Sequence, residues 1–349
     1  IRKDNMSEFY QWFHFRLHSD SFEPHTIRLT NVNTSAYPKG WADYKAVASY
    51  DRETWFRVDT TFDGEHLVIT HYPEAESCYF AYFAPYSYER HLDLLGQAQA
   101  TGMAQLVDLG DTIDGRDMSL LVIGEPADGK KKIWVTARQH PGETMAEWLV
   151  EGLLDRLLDE DDGVARSLLD KAVFYIVPNM NPDGSVRGHL RTNAAGMNLN
   201  REWQTPSMEK SPEVYLVRQK MMETGVDLFL DMHGDENLPY NFVAGTEGVP
   251  SYDERIKSLE NLFKQTLLAV TPEFQTEFGY DLDAPGQANM TVATSWVGDH
   301  FKCLAYTVEM PFKDNANLPD EAYGWSDVRS MKLGQDMLPA ILAVVDKLR

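Results

Sequence analysis

The pattern of hydrophobic positions changes character near residue 85. Before that point, short aromatic and β-branched runs alternate with turn signals such as YPKG (37–40) and FDG (62–64). Short strands bounded by such turns are typical of antiparallel sheets. Residues 1–85 are therefore predicted to form an accessory β-sandwich domain. Its strands are expected in the segments 25–32, 46–50, 55–62, 66–72 and 78–83.

From residue 86 onward the pattern predicts strands that alternate with helices. Short apolar runs predict buried strands at 133–138, 173–178, 227–233 and 304–310. Helical spacing of apolar residues predicts helices at 145–159, 211–225, 252–270 and 325–348. The helix at 211–225 is expected to use Ser211 as N-cap, Pro212 at its first position and Gly225 as its end. Residues 86–349 are thus predicted to form an α/β domain with a mixed, mostly parallel sheet sandwiched by helices.

Charge and cysteine content narrow the classes of function. The formal net charge is −22, which disfavours a nucleic-acid partner and an anionic membrane surface, since both attract Lys and Arg. Cys78 and Cys303 lie far apart and predict no disulfide framework, as expected in a reducing compartment. The first residues lack the pattern of a signal peptide, and no apolar run approaches the ~20 residues of a membrane span. We expect a cytoplasmic protein.

Two short motifs carry the residues of a candidate metal site. His140 and Glu143 follow the strand at 133–138, with Pro141 and Gly142 turning the chain between them, and His233 ends the strand at 227–233. The carboxyl ends of parallel strands meet at one edge of a sheet, so the three side chains can converge. Either histidine alone is more typical of a hydrogen-bonded core or turn residue than of a metal ligand. Together, two His and one Glu with an open fourth position predict one catalytic Zn²⁺ per chain.

Polar residues near these histidines are candidates to orient them. A histidine that binds zinc commonly donates its other ring N–H to a carboxylate or carbonyl. Asp231 lies two residues before His233, so both can project to one face of the strand. Asp235 and Glu236 also flank His233, and Asn198 is the candidate partner for His140.

The segment 178–203 is poor in apolar residues and is predicted to be a long surface loop. It contains Arg187, Arg191 and Arg201 in a strongly acidic chain. Guanidinium groups bind carboxylates and stabilise oxyanions, although in a surface loop they also pair with neighbouring acids.

Glu309 is the only carboxylate in the apolar strand segment 305–312. A buried carboxylate is costly without a partner. Beside a water molecule at the metal it would have one, as a general base with a raised pKa. At the edge of the sheet it would instead face solvent.

Four sequence blocks, in this order, resemble the zinc carboxypeptidase family. They are HPGE followed by TMAEW (140–148), NPDG (181–184), RxNxxGxNLNRxW (191–203), and the strand-end pieces HG (233–234) and TVEMPF (307–312). The combination is similar to the cytosolic carboxypeptidase-like branch, which includes peptidases that remove glutamates from tubulin. The N-terminal β segment also resembles the accessory domain of that branch.

The resemblance implies a role for each matching position. His140, Glu143 and His233 match the zinc ligands, and Arg191 matches the arginine that polarises the scissile carbonyl. Asn200 and Arg201 match the pair that grips the terminal carboxylate of the substrate, and Glu309 matches the general base. Asn198 falls where many secreted relatives have an Asp.

Two further family features are expected but not assigned to one residue. A mobile tyrosine lid over the substrate could be Tyr240, Tyr280 or Tyr306. The base of the specificity pocket should lie in 286–296, a segment without Arg or Lys, so a basic pocket for glutamate side chains is not predicted.

The predicted function is hydrolysis of the C-terminal peptide bond, or of a glutamyl side-chain bond, of peptides or proteins by zinc-activated water. An aspartoacylase-like amidohydrolase of N-acyl amino acids would use the same ligands. A non-catalytic peptide-binding protein on the same fold is a third interpretation.

Overall fold

Two antiparallel sheets make up the N-terminal part of the computed structural model, which describes residues 1–349. One sheet has the order β1 (His14–His18), β7 (Ser77–Ala81), β3 (Val47–Ser49), β4 (Phe56–Arg57). The other has the order β2 (His25–Leu29), β6 (Leu67–His71), β5 (Asp59–Phe62). The ring of His71 meets the ring of Phe80 edge-on at 5.4 Å, so the sheets pack face to face as predicted. The expected strand at 55–62 is broken in two.

A seven-stranded sheet organises the rest of the chain. Its order is β13 (Phe242–Ala244), β14 (Leu304–Pro311), β12 (Leu228–Asp235), β10 (Lys131–Ala137), β11 (Ala172–Val177), β9 (Asp117–Ile123), β8 (Ala104–Asp111). The four central strands β14, β12, β10 and β11 are parallel, and the edge strands are antiparallel. This confirms the predicted mixed sheet and adds three strands that the sequence did not indicate, β13 at one edge and β9 and β8 at the other.

Helices cover both faces of this sheet. They are α1 (Tyr88–Ala100), α2 (Met145–Leu157), α3 (Gly163–Lys171), α4 (Pro182–Arg187), α5 (Pro212–Thr224), α6 (Glu254–Val270), α7 (Ala293–Phe301) and α8 (Asp327–Val345). Alternate residues of β10 point to opposite faces. Ile133 and Val135 join the core under α2, α6 and α8, whereas Trp134 joins the core under α5 and α7. The sheet is therefore buried on both sides, and only the ends of its strands can form an open site.

The backbones of α2 and α8 touch. A Cβ atom on Gly152 would collide with the carbonyl oxygen of Met331, and one on Gly334 would collide with that of Leu149. Glycine at these two positions permits the close crossing of α2 and α8.

The segment 178–203 is not the predicted surface loop. It contains α4 and is largely buried. Its asparagine side chains replace water as partners of the backbone: Asn181 Oδ1 accepts from Gly184 N at 3.0 Å, and Asn193 Oδ1 accepts from Ala195 N and Met197 N, each at 3.0 Å. Polar composition here reflects internal hydrogen bonding and not exposure.

The predicted cap of α5 is right in position but wrong in chemistry. The helix begins at Pro212 and ends before Gly225, yet the Ser211 side chain makes no capping hydrogen bond. Its hydroxyl donates instead to Glu202 Oε2 at 3.3 Å.

One hydrophobic core runs through both parts of the chain. Tyr82, directly after β7, stacks on Phe312 at the end of β14 with ring centroids 4.4 Å apart. The guanidinium of Arg57 donates to the carbonyl oxygens of Phe312 and Trp325, both at 2.9 Å. The expected division at 85/86 stays a prediction, but the two parts do not have separate cores.

This shared core leads to a stability prediction. Phe312→Ala should lower the free energy of unfolding by about 3 to 5 kcal/mol, because it removes a fully buried ring and leaves a cavity. Urea unfolding should remain a single transition at a lower midpoint. Phe22→Ala, at a ring 59% exposed, should leave the midpoint nearly unchanged. Two separate transitions in the native protein would contradict the shared core.

Candidate metal centre and substrate cavity

Three buried side chains meet at the carboxyl ends of β10 and β12. These strands are parallel neighbours, so their ends lie at the same edge of the sheet. His140 and Glu143 lie in the turn between β10 and α2, and His233 lies near the end of β12. The turn is held by a hydrogen bond from Gly142 N to Leu190 O at 2.8 Å, where a Cβ atom would be too close.

The donor atoms of these side chains converge. Glu143 Oε1 lies 2.7 Å from His140 Nδ1, and Glu143 Oε2 lies 2.8 Å from His233 Nδ1. The two Nδ1 atoms are 3.2 Å apart. One donor atom from each side chain therefore lies within 4.8 Å of the others.

The outer nitrogen of each imidazole has an oxygen partner. His140 Nε2 lies 3.0 Å from Asn198 Oδ1, which also accepts from Asn200 N. His233 Nε2 lies 2.8 Å from Asp231 Oδ2. Because these partners accept hydrogen bonds, the tautomer of each ring with its proton on Nε2 satisfies them and leaves the Nδ1 lone pair for a cation. Three electron-pair donors then face one another, an arrangement that fits a divalent cation and, with two imidazoles and a carboxylate, fits zinc.

Asp231 is anchored in turn. It accepts from Thr136 Oγ1 at 2.7 Å and from Gln139 Nε2 at 2.6 Å. The other flanking acids, Asp235 and Glu236, do not contact the His233 ring but line the adjoining cavity.

Burial and neighbouring charge shift the ionisation of the three converging groups. Burial, with the charge of Arg191, lowers the pKa of His140 to about 4. Burial opposes protonation of His233, but the carboxylates of Asp231 and Glu143 raise its pKa well above the usual value. Burial likewise opposes ionisation of Glu143, yet the two histidines hold its pKa below the usual range. Glu143 is therefore anionic, as a metal ligand must be.

Glu309 faces this centre from the next strand. It lies opposite His233 in the register of β12 and β14 and is 6% exposed. Its Oε1 accepts a hydrogen bond from Tyr280 at 3.0 Å, whereas its Oε2 is buried without a partner. Burial raises the pKa of Glu309 well above its usual value.

Of the three candidate lid tyrosines, Tyr280 is the one whose hydroxyl reaches the centre. It lies 2.8 Å from Asp235 Oδ2 as well as 3.0 Å from Glu309 Oε1. Tyr240 stacks on Phe278, and Tyr306 is buried in the core.

The three arginines of 178–203 separate into two groups. Arg187 forms a two-point ion pair with Asp114 away from the centre. Arg191 and Arg201 line the cavity. Arg191 lies 3.8 Å from Glu143, and its guanidinium makes no hydrogen bond to the protein.

Asn200 also faces the centre, with its Nδ2 3.4 Å from His233 Nε2. Its Oδ1 accepts from Ala293 N at 2.8 Å, which turns the amide nitrogen toward the cavity.

A cavity of about 620 Å³ opens from the centre. Segment 286–296 contributes uncharged groups to its wall, including Thr294, whose hydroxyl is 2.7 Å from that of Thr307. Among the lining residues that sequence reasoning missed are Lys264 and Tyr37. Lys264 arrives from α6 and lies 3.9 Å from Glu247 Oε1, and Tyr37 arrives from the N-terminal part. Neither carries a local motif, since only the tertiary fold brings them here.

Comparison with known families matches both parts of the chain. Residues 1–83 match the cytosolic carboxypeptidase N-terminal domain, and residues 88–326 match the zinc carboxypeptidase family. The second match alone covers more than half of the chain.

Individual relatives agree with these matches. The chain is 26% identical to cytosolic carboxypeptidase 6 of Caenorhabditis elegans over 89% of this chain and 73% of that protein. It is 53% identical to the solved metallo-carboxypeptidase of Burkholderia cenocepacia, with a TM-score of 0.96 over 99% of this chain and 92% of that one.

A third relative is the metallo-carboxypeptidase of Pseudomonas aeruginosa, solved in complex with (2-guanidinoethylmercapto)succinic acid. It is 48% identical, with a TM-score of 0.97 over 100% of this chain and 93% of that one. The chain therefore belongs to the zinc carboxypeptidase family and is a metallocarboxypeptidase whose N-terminal part is of the cytosolic carboxypeptidase type.

Proposed function

We propose that this site removes the C-terminal residue of peptides or proteins, with His140, Glu143 and His233 holding one zinc ion. The observation that carries the proposal is the buried, unpartnered Oε2 of Glu309, which lies across from His233 beside three converging donors. A carboxylate kept free at that point is placed to exchange protons with a reacting molecule. Zinc bound there supplies Lewis acidity, which polarises the scissile carbonyl and lowers the pKa of water.

Asn200 and Arg201 are proposed to bind the terminal carboxylate of the substrate. The amide nitrogen of Asn200 is directed into the cavity by the bond between its Oδ1 and Ala293 N. The Arg201 guanidinium adds a positive charge, and one of its nitrogens donates to Asn200 O at 2.6 Å. A cationic clamp in the cavity that opens from the centre would restrict cleavage to the last bond.

Glu309 and Arg191 are proposed to act on the scissile bond. Glu309 takes a proton from the attacking water and passes it to the leaving amine. Arg191 donates to the carbonyl oxygen as negative charge develops, because its own N–H groups are not used by the protein. Tyr280 occupies only Oε1 of this carboxylate, so Oε2 is free to take the proton.

The substrate class is proposed from the charges of the cavity. Lys264 is a cation of the cavity wall, but it lies 3.9 Å from Glu247, and Glu277, Asp281 and Asp283 also line the cavity. The charges therefore favour a terminal carboxylate at Arg201 over an acidic side chain at Lys264. Binding of a succinic acid derivative by the Pseudomonas aeruginosa relative supports a site that recognises carboxylates. A cytoplasmic location belongs to the same proposal, since the Caenorhabditis elegans relative is named as a cytosolic enzyme.

Removing the proposed base should abolish turnover without removing the metal. Glu309→Gln should lower kcat by about 10²- to 10⁴-fold, because the amide cannot accept the proton. The assay is release of free amino acids from a mixed peptide library by zinc-loaded protein, with N-acyl amino acids in parallel.

Glu254→Gln, at an exposed helix start, is the matched control and should retain native activity. No release from peptides by the native protein, with turnover of N-acyl amino acids, would move the function to an amidohydrolase.

Loss of one imidazole should weaken metal binding. His140→Ala removes a neutral nitrogen ligand, so zinc per chain after dialysis should fall from about one to well below one. His18→Ala, at an exposed ring, should keep the native stoichiometry. Metal analysis by mass spectrometry decides the result, and a full zinc complement in His140→Ala would exclude this residue as a ligand.

Loss of the proposed clamp for the terminal carboxylate should raise KM. Arg201→Ala should raise KM for peptides with a free C-terminus by about tenfold to a hundredfold, because a charged hydrogen bond is lost in both ground and transition states. Peptides with an amidated C-terminus should be poor substrates for both proteins.

Arg187→Ala, which removes an arginine paired with Asp114, should leave KM unchanged. Equal KM values for Arg201→Ala and native protein would remove Arg201 from the clamp.

A further inference from the structure

The first residues of the chain hold the segment that carries Arg191. Asp4 is 4% exposed, and its carboxylate takes four hydrogen bonds from three consecutive residues. Oδ1 accepts from Leu190 N at 2.7 Å, and Oδ2 accepts from Arg191 N at 2.8 Å, from Thr192 N at 2.9 Å and from Thr192 Oγ1 at 3.1 Å. Charge-assisted bonds to three successive backbone groups fix the conformation of that segment.

Two further contacts join the first residues of the chain to the same segment. Asn5 N donates to His189 Nε2 at 3.1 Å, and Met6 O packs so closely on Gly196 that a Cβ there would lie at 2.5 Å. Leu190 O in turn accepts from Gly142 N in the turn that carries His140 and Glu143. The carboxylate of Asp4 therefore binds the backbone of Arg191 directly, and it reaches the metal turn through one residue, Leu190.

Two aromatic rings of the N-terminal part also contact the guanidinium of Arg191. Its guanidinium carbon lies 5.7 Å from the centroid of the Phe9 ring and 5.4 Å from that of Tyr37. Ring faces attract the cation without consuming its N–H donors. Its only ion pair is the 3.8 Å contact with Glu143, so the donors remain available to an incoming oxygen.

We propose that Asp4 is a positioning residue for the reaction, acting through Arg191, and that the N-terminal part of the chain thereby completes the catalytic centre. This inference rests on the proposed function. Arg191 is expected to act on an oxygen whose charge develops only in the transition state. Displacing its backbone should therefore lower kcat and leave KM nearly unchanged.

The test begins with Asp4→Asn, which keeps the shape of the side chain but directs an NH₂ group at backbone N–H donors. We expect kcat to fall by about tenfold to a hundredfold, since small misplacements of a transition-state group have effects of that size. KM should change by less than about threefold, and zinc content should stay native.

Asp51→Asn is the matched control. Asp51 is an exposed acid of the same N-terminal part, and its Oδ1 accepts from Ser49 Oγ, Glu53 N and Thr54 N. It does not line the cavity, so its replacement should leave both kinetic constants unchanged.

A double-mutant cycle separates positioning from a general loss of stability. If Asp4 acts through Arg191, Asp4→Asn should cause little further loss of kcat in an Arg191→Ala background. Equal losses in both backgrounds, or a change confined to KM, would overturn the inference. If Asp4→Asn fails to fold, Phe9→Leu replaces it in the cycle with Arg191→Ala. The expected loss of kcat for Phe9→Leu is about two- to fivefold.

Hydrogen exchange gives a readout that does not depend on turnover. Asp4→Asn should raise the exchange rates of the Leu190, Arg191 and Thr192 amides, while Asp51→Asn should not. A native protein that releases no amino acid would refute the proposed function. Unchanged exchange or unchanged kcat in Asp4→Asn, with an active native protein, would refute this inference alone.

Discussion

The convergence of Glu143 with the Nδ1 atoms of His140 and His233 is the constraint on which the rest of the centre depends. Three lone-pair donors within 4.8 Å repel one another unless a cation joins them, so the surrounding protein must hold each in place. Two devices do this. Oxygen partners fix the outer nitrogens of both rings, and Leu190 O fixes the turn between the first histidine and the glutamate. Each device depends on the buried segment 178–203 or on the register of the parallel strands.

The same segment connects the centre to the N-terminal sheets. Asn198 supports His140, Asn200 faces the cavity, and Arg191 lies near Glu143. All three belong to the segment whose backbone Asp4 binds at 190–192. Tyr82 and Arg57 meanwhile join the N-terminal sheets to the end of β14, three residues from Glu309. The N-terminal part thus contacts the elements that carry the proposed oxyanion group and the proposed base. Its role extends beyond covering hydrophobic surface.

The sequence was informative where chemistry and secondary structure coincide locally. An apolar strand followed by a polar turn predicted the positions of His140, Glu143 and His233, and period-two spacing predicted the partnership of Asp231 with His233. It failed where distant segments meet. Lys264, Tyr37 and Asp4 carry no pattern of their own, because their surroundings come from residues more than a hundred positions away or from another element. Segment 178–203 was wrongly predicted as a surface loop for a related reason. Its asparagines bond to buried backbone, but a segment rich in asparagine has the same composition as an exposed loop.

The span of these contacts sets the order of events during synthesis. Arg57 and its partner Trp325 are 268 residues apart, and Asp4 and Leu190 are 186 apart. At ribosomal speeds of about 5 to 20 residues per second, roughly 12 to 46 s pass between the synthesis of Tyr82 and that of Phe312, which stacks on it. Until then the ring of Tyr82 lacks its stacking partner Phe312. β14 is the last strand of the seven-stranded sheet in chain order, so Glu309 joins the centre only after the segments that carry His140, Glu143 and His233 have been made.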